Sequence, residues 1–165
     1  MPGEAMVERE DFRTFFERER DGLFGALVLI TGNRHEAEEI AQDAFLALWE
    51  RWGRVRSLED PTGYLYRTAM NEFRMRRRQA VVAARRALGR IPGPNAFDAV
   101  DARDALDRAL ASISSRQRAA IILTDLLGYS SDEAGRMLRI RPTTVRVLAS
   151  QARLAIRRVL GDGNE

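Results

Sequence analysis

The stretch Ser130–Leu160, SSDEAGRMLRIRPTTVRVLASQARLAIRRVL, reads as two helices joined by a tight turn, the second of them long and basic. Ser130 followed by Glu133 fits a capping box, which satisfies the free N–H groups of a helix start. The helix it opens runs through Met137 and Leu138. Arg139-Ile140-Arg141 is too short and polar to be anything but a turn, and Pro142 suits the first position of a new helix. In that second helix Val145, Leu148, Ala149, Ala152, Ile156 and Val159 recur at helical spacing as one apolar stripe. About a quarter turn round, Arg146, Ser150, Arg153 and Arg157 form a polar stripe. Residues 134–160 carry seven Arg and no acid. A short helix, a three-residue turn and a basic second helix make the helix-turn-helix pattern, whose second helix enters the DNA major groove. The bland alternative is a helical hairpin with a solvated cationic face.

The chain before this pair reads as helix almost throughout. Ala102, Ala105, Leu106, Ala109, Leu110 and Ile113 mark one helix. Ser114 and Gln117 cap the next, whose Ala119, Ile122, Leu123 and Leu126 point inward until Gly128 stops it. Further back, Phe12, Phe15, Phe16, Leu23, Leu27 and Ile30 give a first amphipathic helix closed near Thr31-Gly32. Asn33 and Glu36 fit a capping box for a second helix, to about Arg51, with the core stripe Ala37, Ile40, Ala41, Ala44, Phe45 and Leu48. Residues 53–63 read as a loop. From about Thr62 a helix buries Tyr66, Ala69, Met70 and Phe73, and its periodicity fades near the Arg76-Arg77-Arg78 run. The fold expected is all-α: two small helical domains, 1–80 and 101–165, joined by a flexible linker over 81–100.

Two faces stand apart from the core stripes. The helix from Thr62 carries Tyr64, Arg67, Asn71, Arg74 and Arg78 along one side. Aromatic, amide and guanidinium groups in a row can stack on bases, read base edges and hold phosphates. The outer face of the second helix carries Glu39, Gln42, Asp43, Leu46 and Glu50, with Trp49 at its margin. A Leu among acids suggests a partner surface with an apolar centre and a charged rim, although singly exposed apolar residues are also common.

Charge is distributed to match. All 27 basic residues are Arg, against 24 acids. Residues 67–90 hold eight Arg and one acid, whereas residues 1–60 hold eight Arg and 14 acids. Two basic blocks separated by acidic ones suggest two contacts with a polyanion. With no Cys, neither a disulfide framework nor a thiolate metal site is possible. His35, the only His, sits at a helix start and is most simply solvated. No Gly-rich phosphate loop or metal-ligand spacing occurs, so no enzyme, metal or cofactor is expected. The acidic N-terminus lacks the charged region of a signal peptide, and the longest apolar run, Leu23–Ile30, is too short to span a bilayer. A cytoplasmic protein is expected.

In order and spacing the segments resemble the compact sigma factors of bacterial RNA polymerase, the extracytoplasmic-function (ECF) class. EAEEIAQDAFLALW resembles sigma region 2.2, PTGYLYRTAMNEFRMRRR regions 2.3–2.4, and ALASISSRQRAAIILTDLLGYSSDEAGRML with PTTVRVLASQARLAIR region 4. The resemblance implies a subunit that directs core polymerase to promoters, not an enzyme. It puts Glu39, Gln42, Asp43 and Leu46 where region 2.2 grips the β′ coiled coil. Tyr64, Arg67, Asn71 and Arg74 then fall where the family recognises and opens the −10 element, with the loop Val55–Pro61 where a flipped base is often received. Arg141, Thr143, Thr144, Arg146 and Ser150 fall on the −35 recognition helix. Arg146 is the candidate guanine reader, and Arg153 and Arg157 are phosphate contacts. The implied partners are the β′ and β subunits of core polymerase, promoter DNA and, as in many family members, an anti-sigma protein. The chain departs from the pattern at Arg139 and Arg141, where the family usually has Gly and a small residue, and at Gly135, where it usually has Ala. Val147 stands at the groove-facing edge, where it can touch a thymine methyl. A free-standing helix-turn-helix regulator is the competing reading, and it needs neither the Leu46 face nor the second basic helix.

Overall fold

The computed structural model describes residues 10–88 and 105–161. The expected linker residues 89–100, Ala102, and the two chain ends (1–9 and 162–165) lie outside that range. All regular structure among the described residues is helical.

Helix α1 (Phe12–Thr31) starts at Asp11, whose carboxylate accepts from the Thr14 N–H at 2.8 Å, and closes on left-handed Gly32. Asn33 caps α2 (Arg34–Glu50), accepting from the Glu36 N–H at 2.8 Å. The two helices form a hairpin with a two-residue connection, and every residue of the expected α2 stripe is buried. Phe12 and Phe16 of α1 meet Phe45 and Trp52; the Phe16 and Phe45 rings pack edge to face with centroids 4.8 Å apart. The expected loop at 53–63 is shorter than the sequence suggested, because α3 (Trp52–Val55) adds a turn anchored by buried Val55.

Helix α4 (Pro61–Leu88) buries Leu65, Tyr66, Ala69, Met70 and Phe73. At 28 residues it is about 42 Å long. It does not fade near Arg78 as expected but continues eight residues into the expected linker. The run from Gln79 to Leu88 is rich in strong helix formers, Ala and Arg, and Val81 is half-buried.

The remaining helices are α5 (Ala105–Ala111), α6 (Ser115–Ile121), α7 (Ser131–Leu138) and α8 (Pro142–Gly161). Both halves of the capping box form at Ser114–Gln117 and again at Ser130–Glu133. Between α6 and Gly128 the backbone widens into a π-helical turn, Ile122–Leu126. The extra residue in that turn rotates the positions after it, so Leu126, expected in the core, is 61% exposed. Leu106 of α5 is likewise exposed.

The helices before and after the linker share one buried cluster, from Phe15 of α1 to Ala152 of α8. Helix α6 packs on α1 and α7 packs on α4. Tyr66 of α4 and Tyr129 meet with ring centroids 6.0 Å apart. Burial pushes the Tyr129 phenol up to about 12. Arg118 of α6, with no solvent exposure, donates to the Ile30 carbonyl at 2.8 Å, to Leu110 at 3.0 Å and to Ile113 at 2.6 Å. Burial, with Arg77 nearby, pulls its pKa down to about 10. Ile30 and Leu110 lie in the last turns of α1 and α5, where carbonyls lack intrahelical donors. One guanidinium therefore caps two helix ends, one on each side of the linker.

Candidate nucleic-acid and polymerase interfaces

The outer face of α2 has the composition expected and one feature the sequence did not suggest. Leu46 is 56% exposed and Trp49 60% exposed, with Gln42 and Asp43 also open to solvent. Arg76 of α4 reaches across to donate to Glu39 Oε2 at 2.8 Å and Asp43 Oδ2 at 2.7 Å. Burial opposes the Arg76 charge, but the Asp43 and Glu39 carboxylates outweigh it and raise its pKa. Two of the four expected polymerase contacts are thus held in place by a residue read as part of a fraying helix end. His35 is solvated as expected, with its Nε2 3.2 Å from Glu39 Oε1.

On α4 the five stripe residues share one side but not one exposure. Arg67 and Arg78 are exposed, while Tyr64, Asn71 and Arg74 are half-buried. The helix start is fixed by Asp60, which accepts from the Gly63 N–H at 2.9 Å. Arg51 donates to the Tyr64 hydroxyl at 3.3 Å, and that bond, aided by Arg54, holds the phenol below its ordinary value. Among the described residues Asn71 meets just a sulfur partner, Met75 Sδ at 3.7 Å, and its amide oxygen stays available for a base edge. A cavity of about 500 Å³ opens at the first turns of α4, lined by Leu58, Asp60, Tyr64 and Arg67 and, from the other side, by Tyr129 and Arg136. The loop expected to receive a flipped base forms one wall of it. A second cavity, of about 370 Å³, lies along the second half of α4 against the helix-turn-helix and is lined by Arg74 and Arg78 among others.

Helices α7 and α8 form the expected helix-turn-helix. Arg139 takes the left-handed conformation, φ 52° and ψ 46°, the one non-Gly residue among those described with positive φ. Ile140 donates to the Gly135 carbonyl at 3.0 Å, folding the turn back over α7. A Cβ on Gly135 would lie 2.8 Å from the Ile140 carbonyl oxygen. Glycine is required there by the closeness of the turn, and an Ala would not fit without moving it.

Arg141, just before α8, and Thr143, Arg146, Ser150 and Arg157 on it are exposed, Thr144 and Arg153 half-buried, and Val145, Ala149 and Ala152 buried beneath them. Arg153 Nη1 lies 3.3 Å from Asp125 Oδ1, so its charge is partly matched within the chain. Val147 is 54% exposed on the open side. A helix with an arginine-rich outer face, Arg141 just before it and two Thr in its first turn, has the shape and donors to enter a major groove.

An all-helical chain that pairs such a helix-turn-helix with a second aromatic and arginine-rich helix and an acidic partner face has the make-up of a promoter-specificity subunit. Comparison with known proteins agrees. The Sigma-70 region 2 family model matches residues 15–81, and the Sigma-70, region 4 model residues 103–156. ECF RNA polymerase sigma factor SigM of Mycobacterium tuberculosis is 28% identical over 155 residues, spanning 93% of this chain and 79% of its own. SigE of Mycolicibacterium smegmatis is 30% identical over 148 residues, spanning 83% of this chain and 56% of its own. The sigma factor RpoE of Bartonella quintana, solved in complex with the anti-sigma factor NepR, has the same fold, with a TM-score of 0.73, 22% identity and coverage of 92% of this chain and 97% of that one. The chain belongs to the ECF sigma factors, the sigma-70 family subunits that direct RNA polymerase to promoters. No helix among the described residues is long and apolar enough to cross a membrane.

Proposed function

We propose that the three faces divide the work of initiation. Glu39, Gln42, Asp43 and Leu46 bind the β′ subunit of core polymerase. Tyr64, Arg67, Asn71, Arg74 and Arg78 hold and open the −10 element. Arg141, Thr143, Thr144, Arg146 and Ser150 read the −35 groove, with Arg153 and Arg157 on phosphates. Residues 1–80, extended by α4 to Leu88, act as one unit, and 101–165 as the other, the latter also meeting the β subunit. The chain works in the cytoplasm and contributes binding and positioning, not bond chemistry. An anti-sigma protein, as held by the Bartonella quintana sigma factor, is proposed as its regulator.

The observation that carries this reading is the Leu46 face. A Leu more than half exposed among acids, with an equally exposed Trp at the margin, on a helix whose own apolar stripe is already buried, is the make-up of a surface for a protein partner. A regulator that binds operators alone has no use for that face. The test is transcription in vitro with core polymerase on a promoter library, with Leu46→Arg alongside. Promoter-specific initiation should require this chain. Leu46→Arg should cost about 2 kcal/mol or more in core affinity while leaving the helical signal intact. Unchanged core affinity would remove α2 from the interface, and tight operator binding without polymerase would favour the regulator.

A further inference from the structure

The 370 Å³ cavity between α4 and the helix-turn-helix has a lining that the promoter grips explain only at Arg74 and Arg78. Five guanidinium groups from three elements border it: Arg74, Arg77 and Arg78 of α4, Arg116 of α6 and Arg139 of the turn. Among the described residues no acid lines it, and the remaining wall they form is apolar, including Phe73, Val82, Leu138 and Leu148. Arg77 donates to the Ser115 hydroxyl. The guanidinium groups of Arg74, Arg78, Arg116 and Arg139 make no ion pair or hydrogen bond with a described residue. Burial, then Arg139, Arg78 and Arg116, lowers the Arg74 pKa, and burial with Arg116 lowers that of Arg77. Arg74 and Arg77 are half-buried and Arg78, Arg116 and Arg139 exposed, and Glu36 beside Arg77 is the one carboxylate that acts on the pair, so positive charge is gathered in excess, an arrangement that an anion relieves. The volume falls in the range of small-molecule sites, and arginine forks suit phosphate oxygens bidentately.

We infer that this cleft binds a nucleoside polyphosphate, its phosphates held by Arg74, Arg78, Arg116 and Arg139 and its base laid against the Val82, Leu138 and Leu148 wall. Several guanidinium groups facing one way call for more than one phosphate, and the apolar wall calls for a flat, weakly polar body. Because the site draws on α4 and on the turn together, the ligand holds the two halves against each other. Arg74 and Arg78 also belong to the proposed −10 stripe, so bound nucleotide competes with promoter DNA; this part rests on the promoter reading above.

The test is calorimetric titration of the full chain at physiological salt with GTP, inorganic tripolyphosphate and guanosine. GTP should bind saturably at one per chain, with tripolyphosphate about tenfold weaker and guanosine without measurable binding. Arg116→Ala, outside both promoter stripes, should weaken GTP about tenfold. Val82→Glu, which puts a carboxylate beside the arginines, should abolish binding. Circular dichroism checks that both variants fold. Absence of saturable GTP binding, or variants that bind like the parent, overturns the site, and equal affinity for tripolyphosphate overturns the nucleoside assignment. A fluorescent single strand carrying the −10 sequence should be displaced by GTP from the parent but not from Val82→Glu; no displacement overturns the competition. The titration contains neither polymerase nor promoter, so it and the initiation assay fail independently.

Discussion

The two basic helices carry similar chemistry and differ in access. At and along α8, Arg141, Thr143, Arg146, Ser150 and Arg157 face solvent, above a stripe buried at Val145, Ala149 and Ala152 and half-buried at Leu148, Ile156 and Val159. On α4, Tyr64, Asn71 and Arg74 are half-buried, and α7 packs across the same helix. Composition and net charge do not separate these cases. What separates them is where the partners lie: α8 packs on α5, α6 and α7 through its Val145, Ala149 and Ala152 side and leaves its arginine face open, whereas α4 lies between α2 and α7 with part of its stripe covered. In the packed chain one grip is open and the other is partly covered by its partner.

On the proposed promoter reading, simultaneous use of both grips requires that packing to give way. Elements named for positions −10 and −35 are centred about 25 base pairs apart, roughly 85 Å of duplex at about 34 Å per ten pairs. Helix α4 and the helix-turn-helix are in direct contact here, far short of that span. The contacts to be released include the shared apolar cluster where α6 packs on α1 and α7 on α4, the Tyr66–Tyr129 pair, the Arg77–Ser115 bond and the Arg118 cap on α1.

The strongest way to break the contrast is Arg118→Met. It keeps much of the side-chain length but leaves the Ile30, Leu110 and Ile113 carbonyls without this donor. A buried acceptor left unsatisfied costs about 1–3 kcal/mol, so urea denaturation should show a loss of about 3 kcal/mol or more. The same change loosens α6 from α1, so a single strand carrying the −10 sequence should bind more tightly than to the parent. Loss of stability without that gain would mean that packing between the halves does not limit access to α4.

Gly135→Ala acts on α8 alone. The new methyl would press on the Ile140 carbonyl at 2.8 Å, and overpacking of this kind costs about 1–3 kcal/mol. Affinity for −35 duplex should fall while −10 strand binding stays as it was. Equal loss at both elements would show that the turn supports the whole bundle and not one grip.

Arg146→Ala sharpens the open side further. If Arg146 is bidentate to a guanine, one −35 position should lose about 1–3 kcal/mol of discrimination and the others none. Measured over a set of single-base variants, a uniform drop would instead make Arg146 a phosphate contact.

How much of the molecule is legible in its sequence divides along the same line. Periodicity locates the buried stripes of α2 and α4 correctly, because apolar spacing on a helix maps directly onto burial. Both Ser caps are visible for a similar reason: capping depends on residues three apart. The helix-turn-helix with its exposed outer face also comes from local pattern. What escapes depends on contacts between distant segments. Arg118 lies on a short helix where an Arg reads as solvated, and only the convergence of α1, α5 and α6 gives it three carbonyls. Arg76 looks like part of a basic run, and its partners on α2 are 33 and 37 residues away. Leu126 is misplaced by spacing alone because a π-helical turn adds a residue without any mark in the pattern. Gly135 reads as a weakness in α7 until the turn is seen to fold back onto it.

The finest test concerns Arg139, which touches both sides of the contrast: its backbone shapes the turn before α8, and its guanidinium borders the α4 cleft. A left-handed conformation costs an L-residue about 1–2 kcal/mol, whereas glycine adopts it freely but loses more entropy on folding. The net effect of Arg139→Gly should be a gain of about 0.5–1 kcal/mol in thermal unfolding, added to by removing one cation from the five in the cleft. Preference among −35 sequences should not change, because the backbone bond from Ile140 to Gly135 that sets the turn is kept. A loss of stability would mean that the Arg139 side chain contributes more than its backbone costs. A change in −35 preference alone would move Arg139 from the cleft to the groove.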